Sequence, residues 1–74
     1  MIKVTLRQNV EPEVYVIPGT TTIRQFLEDN GVEYARRAIH LDGKPVENLL
    51  DEQFTSFGEK ESFHLSVITK ADNA

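Results

Sequence analysis

His40 and His64 are the two histidines of the chain, and imidazoles on neighbouring strands can act as a pH-sensitive pair or as two ligands of a metal ion. A metal centre needs more than two. With no third histidine and no cysteine in the chain, the pair reads better as surface residues than as a metal site. Nucleophilic chemistry needs a hydroxyl activated by a base, and no serine lies in the strand-to-helix elbow that presents such a group. Acids gather as Glu28, Asp29 and Glu33, and again as Glu47, Asp51 and Glu52. Neither group has the alternating oxygen ligands and central glycine of a calcium loop, so both read as solvated surface. Gly19 and Gly31 lack a phosphate-loop pattern and read as a stop and a cap. No catalytic residue, metal or cofactor is expected.

Composition narrows the partners. At 74 residues the chain is one domain, residues 1–74, with a core too small to shelter a deep active site. The absence of cysteine excludes disulfides, thiolate metal ligands and a cysteine nucleophile, and fits a reducing compartment. Cytoplasm is the expected location. The first residues alternate instead of forming a basic start and an apolar block, and no apolar run approaches the ~20 residues of a membrane helix. Neither export nor a membrane is expected. Twelve acids against 8 lysines and arginines give a net charge of −4, which repels a phosphate backbone and excludes nucleic acid as the expected partner. If the net field steers a partner, it steers a basic protein surface; at this charge simple solubility is the favoured reading.

The elements that would position these groups follow from periodicity. Ile2, Val4 and Leu6 alternate with Lys3, Thr5 and Arg7, the period of two of a strand with one buried face. A turn through Pro12 leads to a second strand, Glu13-Val14-Tyr15-Val16-Ile17. Either the valines or Tyr15 and Ile17 face the core there, and the valines are preferred because a tyrosine hydroxyl is more easily satisfied at the surface. Pro18-Gly19 stops that strand. Thr22 and Gln25 have capping-box spacing, Ile23, Phe26 and Leu27 share one helical face, and Gly31 followed by Val32 is a helix stop. Ala38-Ile39-His40-Leu41 predicts a strand entering an Asp42-Gly43 hairpin turn, with Pro45 confining the return strand to a sheet edge. Residues 47–58 form a long connection with a short helical turn expected around Asp51-Glu52-Gln53, and Leu49, Leu50, Phe54 and Phe57 are expected to plug the open end of the sheet. Phe63, Leu65 and Val67 alternate with His64, Ser66 and Ile68 in a last strand that needs a central place in the sheet.

The order β-β-α-β-β-β predicts an α+β fold, and it resembles the β-grasp of ubiquitin and of the small sulfur carriers of thiamine and molybdopterin biosynthesis. The resemblance covers nearly the whole chain. It is carried by Thr22-Ile23 at the helix start, His40-Leu41-Asp42-Gly43-Lys44 at the hairpin, and Lys60-Glu61-Ser62-Phe63-His64-Leu65 in the last strand. The segment from Thr22 to Val46, with Gly31-Val32 and Asp42-Gly43-Lys44-Pro45-Val46, looks still more like the sulfur carriers. What the resemblance implies is a mixed sheet with one helix across it.

In both look-alike families an activating enzyme adenylates a C-terminal glycine carboxylate, and paired glycines let the tail thread a narrow channel. Here the matching stretch is Thr69-Lys70-Ala71-Asp72-Asn73-Ala74, and the last glycine is Gly58. The resemblance therefore implies that the chain as given is not a substrate for such an enzyme. It also places His40 where ubiquitin's receptor patch has its central isoleucine and Ser66 where it has a valine, while His64 matches. A patch so polar is not expected to hold ordinary ubiquitin receptors.

The reading that results is a noncatalytic ubiquitin-like protein-interaction module or adaptor lacking a conjugation-competent tail, acting as a monomer or weak oligomer on a protein partner. The expected contact residues are Lys3, Thr5, Arg7, His40, His64, Ser66 and Ile68 on the open sheet face, with Lys44 at the hairpin edge. The strand-two edge near Tyr15 is a further place where another chain can add a strand. The competing reading is a divergent sulfur-carrier or modifier-like protein acting with an activating enzyme. A third is a component of a larger complex whose partner covers the sheet.

Overall fold

The computed structural model describes residues 1–8 and 11–69. Strand β1 (Ile2–Arg7) buries Ile2, Val4 and Leu6 and turns Lys3, Thr5 and Arg7 outward, as its alternation requires. It is followed by β2 (Glu13–Ile17), helix α1 (Ile23–Asp29), β3 (Arg37–Leu41), β4 (Lys44–Pro45), a 3₁₀ turn (Phe54–Phe57) and β5 (Ser62–Thr69). The five strands form one mixed sheet in the order β2-β1-β5-β3-β4. β1 and β5 run parallel at its centre, and every other neighbouring pair is antiparallel.

Helix α1 has the boundaries its caps specify. The Gln25 amide donates to Thr22 Oγ1 at 3.1 Å, satisfying one of the unpaired donors of the first turn. The Gln25 side chain does not reach back to close a capping box; it donates to Asp29 Oδ1 at 2.7 Å instead. At the other end Gly31 takes φ 67°, and the amides of Gly31 and Val32 donate to the carbonyls of Glu28 at 3.1 Å and Leu27 at 2.9 Å. That is a complete Schellman stop, and Val32 is buried beyond it as the accompanying apolar contact. Ile23, Phe26 and Leu27 are buried against the inner face of the sheet.

Three expectations need correcting. In β2 the valines face solvent, Val14 at 57% and Val16 at 61% exposure, while Tyr15 and Ile17 pack on the core. The tyrosine resolves the conflict by splitting its two halves. Its ring lies edge-on to Phe26 with centroids 5.4 Å apart, and its hydroxyl donates to Glu13 Oε2 at 2.9 Å at the sheet edge. The helical turn expected at Asp51-Glu52-Gln53 instead spans Phe54–Phe57. Residues 49–52 form a single hydrogen-bonded turn, the Glu52 amide donating to the Leu49 carbonyl at 3.1 Å, and the segment is held beside the start of α1: Ile23 and Arg24 amides donate to the Glu52 and Leu50 carbonyls at 3.1 and 2.8 Å, and Thr22 bridges Gln53. Leu50 and Phe54 plug the end of the sheet with Phe57 packed beside them, whereas Leu49 is 42% exposed.

The hairpin between β3 and β4 is built as the sequence dictates. Asp42 and Gly43 have φ values of 51° and 86°, the paired positive angles of a type I′ turn whose twist suits the flanking strands. Pro45 sits on the edge strand β4, where its missing amide costs no ladder bond to a further strand.

The inverted sides of β2 lead to a simple contrast. Tyr15→Ala removes a half-buried ring from Phe26 and is expected to cost about 2–3 kcal/mol, whereas Val16→Thr on the solvent face should stay within about 0.5 kcal/mol of the parent. Urea unfolding of the two variants measures both, and the opposite ranking would mean that β2 is turned over.

Candidate interaction surface

Strand register sorts the outward side chains into rows. Lys3 stands between Val16 and Ser62, Thr5 between Val14 and His64, and Ser66 between Arg7 and His40, with Pro45 beyond His40. Ile68 lies opposite Ala38 at the far end of β5. Residues opposite one another in a sheet project to the same face, so the structure brings Lys3, Thr5, Arg7, His40, His64, Ser66 and Ile68 onto one surface. Lys44 is not part of it. It pairs with Leu41, a core residue, and so belongs to the inner side of the sheet at the exposed β4 edge.

His40 and His64 occupy adjacent strands on this face, with His40 opposite Ser66 and therefore diagonal to His64. Diagonal neighbours in a ladder lie about 7–8 Å apart. Among the described residues no group of three His, Cys, Asp or Glu comes together to hold a metal ion. No side-chain hydroxyl of a described residue hydrogen-bonds to either imidazole.

The charge on this surface differs from the charge on the chain. Its outward strand positions carry Lys3 and Arg7 and both histidines, and no carboxylate. Neither Lys3 nor Arg7 forms an ion pair with a described residue. The acids lie elsewhere. On the helix side, Arg24 Nε donates to Asp51 Oδ1 at 2.7 Å and Arg24 also donates to the Tyr34 hydroxyl at 3.2 Å, which in turn donates to Glu28 Oε2 at 2.8 Å. The hydrogen bond from Arg24 holds the Asp51 carboxyl below the ordinary carboxylate range.

One carboxylate braces the sheet face from its rim. Asp42 donates its amide to the His64 carbonyl at 2.8 Å and accepts the His64 amide on Oδ1 at 2.9 Å, while Oδ2 pairs with Lys60. Lys60 also sits over the Phe63 ring, 5.2 Å from its centroid. Desolvation pushes the Asp42 carboxyl up, but Lys60 and the His64 amide together outweigh it and hold the group below its ordinary value. The hairpin turn is thereby fastened to β5, which fixes the backbone that carries His64.

Sequence reasoning missed Val14 and Val16 as members of this face. Alternation alone is symmetric between the two sides of a strand, and the deciding signal was that a tyrosine can bury its ring and keep its hydroxyl at an edge. The run Lys70-Ala71-Asp72-Asn73-Ala74, on which the argument about conjugation rests, lies outside the described residues.

The chain superposes over 99% of its length on 81% of the ubiquitin-like domain of an Arabidopsis thaliana protein, with a TM-score of 0.74 at 16% identity. It has the ubiquitin-like β-grasp fold. The UBL domain of yeast Ddi1 matches the same β-grasp with a TM-score of 0.67 at 12% identity, covering 99% of this chain and 93% of that one. A ubiquitin-like protein of the archaeon Caldiarchaeum subterraneum gives 0.61 at 13% identity, covering 97% and 100%. No protein-family model matches the sequence, and no curated protein is similar enough to count as a relative. No helix among the described residues is long and apolar enough to cross a membrane.

The Asp42 brace has a pH signature. A carboxyl whose folded value is depressed contributes stability that is complete above its unfolded value and is lost as pH falls through the folded one. Asp42→Asn keeps an acceptor for the His64 amide but removes the charge, so its unfolding free energy should fall less than the parent's between about pH 5 and pH 2. The difference is expected to be up to about 1 kcal/mol. Urea titrations at the two ends of that range read it, and parallel losses in both proteins would assign the brace no electrostatic role.

Proposed function

We propose that this β-grasp domain is a noncatalytic protein-interaction module whose contact surface is the outer face of its sheet. The observation that carries this reading is the presentation of two cations without ion pairs among the described residues, Lys3 and Arg7, beside His40, His64 and Ser66 on the three central strands. The backbone of paired strands loses little further freedom on binding, so the positions from which these side chains project are fixed in advance for a partner. Helix α1 packs on the inner face, which leaves the outer one for recognition. Ile68, 47% exposed, supplies an apolar contact at one end. Lys44 contributes from the β4 edge, outside the main surface. A cytoplasmic setting fits a chain without cysteine. A module of this kind works by bringing a partner to whatever else that partner binds, and it needs no reacting group of its own.

The test uses wild-type protein and an Arg7→Glu/His64→Glu variant, both substitutions lying on exposed positions that leave the core untouched. Affinity capture from the native cell, followed by amide shift mapping with the purified captured protein, should enrich that partner on the wild type at least about tenfold over the variant. The shifts should fall on the outward residues of β1, β3 and β5. Shifts confined to α1 and the Arg24–Asp51 surface would sink the proposal.

A further inference from the structure

We infer that Val14 and Val16, with Lys3 and Arg7 beside them, form a docking surface for an acidic amphipathic helix of a partner protein; this rests on the interaction-module reading and names the partner's chemistry. Both valines point to solvent on the edge strand β2, at 57% and 61% exposure, and no described residue covers them. Val16 adjoins Lys3 in register and Val14 adjoins Thr5, two positions before Arg7 on β1. The surface is therefore an apolar ridge along one border with cations on the strand behind it.

Charge selects the partner. The chain carries a net charge of −4, yet the outward positions of β1 and β2 hold Lys3 and Arg7 and no carboxylate. Complementarity at the point of contact decides which partners are accepted, while the net charge acts at longer range and is screened by salt. A basic partner would be drawn toward the molecule as a whole and repelled at this face. An acidic one fits it.

Geometry selects the helix. The two valines are two positions apart on the strand, about 6.7 Å, close to the rise of about 5.4 Å in one helical turn. Apolar side chains at i and i+4 of a helix lying along β2 can therefore rest on both, with acids on its inner flank reaching Lys3 and Arg7 on the neighbouring strand. Strand addition at the β2 edge suits an acidic segment less well, because Glu13 stands on the inner side of that edge with its carboxylate already bound to Tyr15. Two valines and two cations are a small contact, so the complex should be weak and in fast exchange.

The experiment titrates isotope-labelled protein with a designed helical peptide of about 18 residues, bearing leucines at i, i+4 spacing flanked by glutamates. A second peptide has lysines in place of the glutamates. The acidic peptide should shift the amides of Val14, Val16, Lys3 and Thr5 saturably, and the lysine peptide should bind at least about tenfold more weakly. Val14→Thr/Val16→Thr, which keeps strand-forming residues on the solvent face, should weaken the acidic peptide at least about fivefold, and about 0.5 M salt should weaken it further. Equal binding of the two peptides, or no saturable shift, would overturn the inference. Shifts centred on His40 and Ser66 would also overturn it while leaving the sheet-face module standing. Concentration-dependent shifts of the same valines without peptide would assign the ridge to a second copy of the chain and reject the acidic helix. A native partner that maps to α1 would remove both readings together.

Discussion

β1 and β5 lie side by side and parallel, so the first strand of the fold pairs with the last, from Lys3 opposite Ser62 to Arg7 opposite Ser66. Parallel neighbours cannot be joined by a tight turn, and here the connection between them is the rest of the domain. The hairpin of β1 and β2, helix α1 and the hairpin of β3 and β4 must all be gathered before this ladder can close. Loop-closure entropy makes such a contact expensive to form early. Everything else in the molecule either prepares that pairing or covers it, and Phe63, Leu65 and Val67, all buried, are the apolar return for making it.

The core is organised around a line of aromatic rings. Tyr15 meets Phe26 edge-on, Phe26 meets Phe54 with centroids 5.6 Å apart, and Phe54 meets Phe63 at 5.7 Å. Each ring comes from a different element: the edge strand, the helix, the 3₁₀ turn and the central strand. Edge-to-face contacts are directional as well as apolar, so the line fixes how α1 sits over the sheet and where residues 54–57 enter. The outer face depends on it indirectly. Because Tyr15 is committed to Phe26, Val14 and Val16 are left outside; a binding surface is set by a packing choice on the other side of the strand.

Most of the architecture was legible in the residues. Alternation in β1 and β5, Thr22 before the helix, Gly31-Val32 after it and Asp42-Gly43 at the hairpin each act through local physics, and each is in place. Two features escaped because they are set by contacts distant in sequence. The side of β2 was decided by Phe26, and the position of the 3₁₀ turn by the pairing of residues 50–53 with the start of α1. The outward set Lys3, Thr5, Arg7, His64, Ser66 and Ile68 followed from period two alone, and His40 followed with it once β3 was recognised. The charge segregation did not follow from composition. A net charge sums over the whole surface, whereas recognition depends on which strand positions the acids avoid.

The parallel β1–β5 ladder also gives the molecule a mechanical character. Tension that pulls β1 at its Ile2 end away from β5 at its Thr69 end slides two parallel strands past one another, so the ladder between Lys3–Ser62 and Arg7–Ser66 is loaded in shear. All its hydrogen bonds then carry force together, instead of parting one at a time as they would at the end of a hairpin. A pull along β1 and β5 is therefore borne by these two strands together.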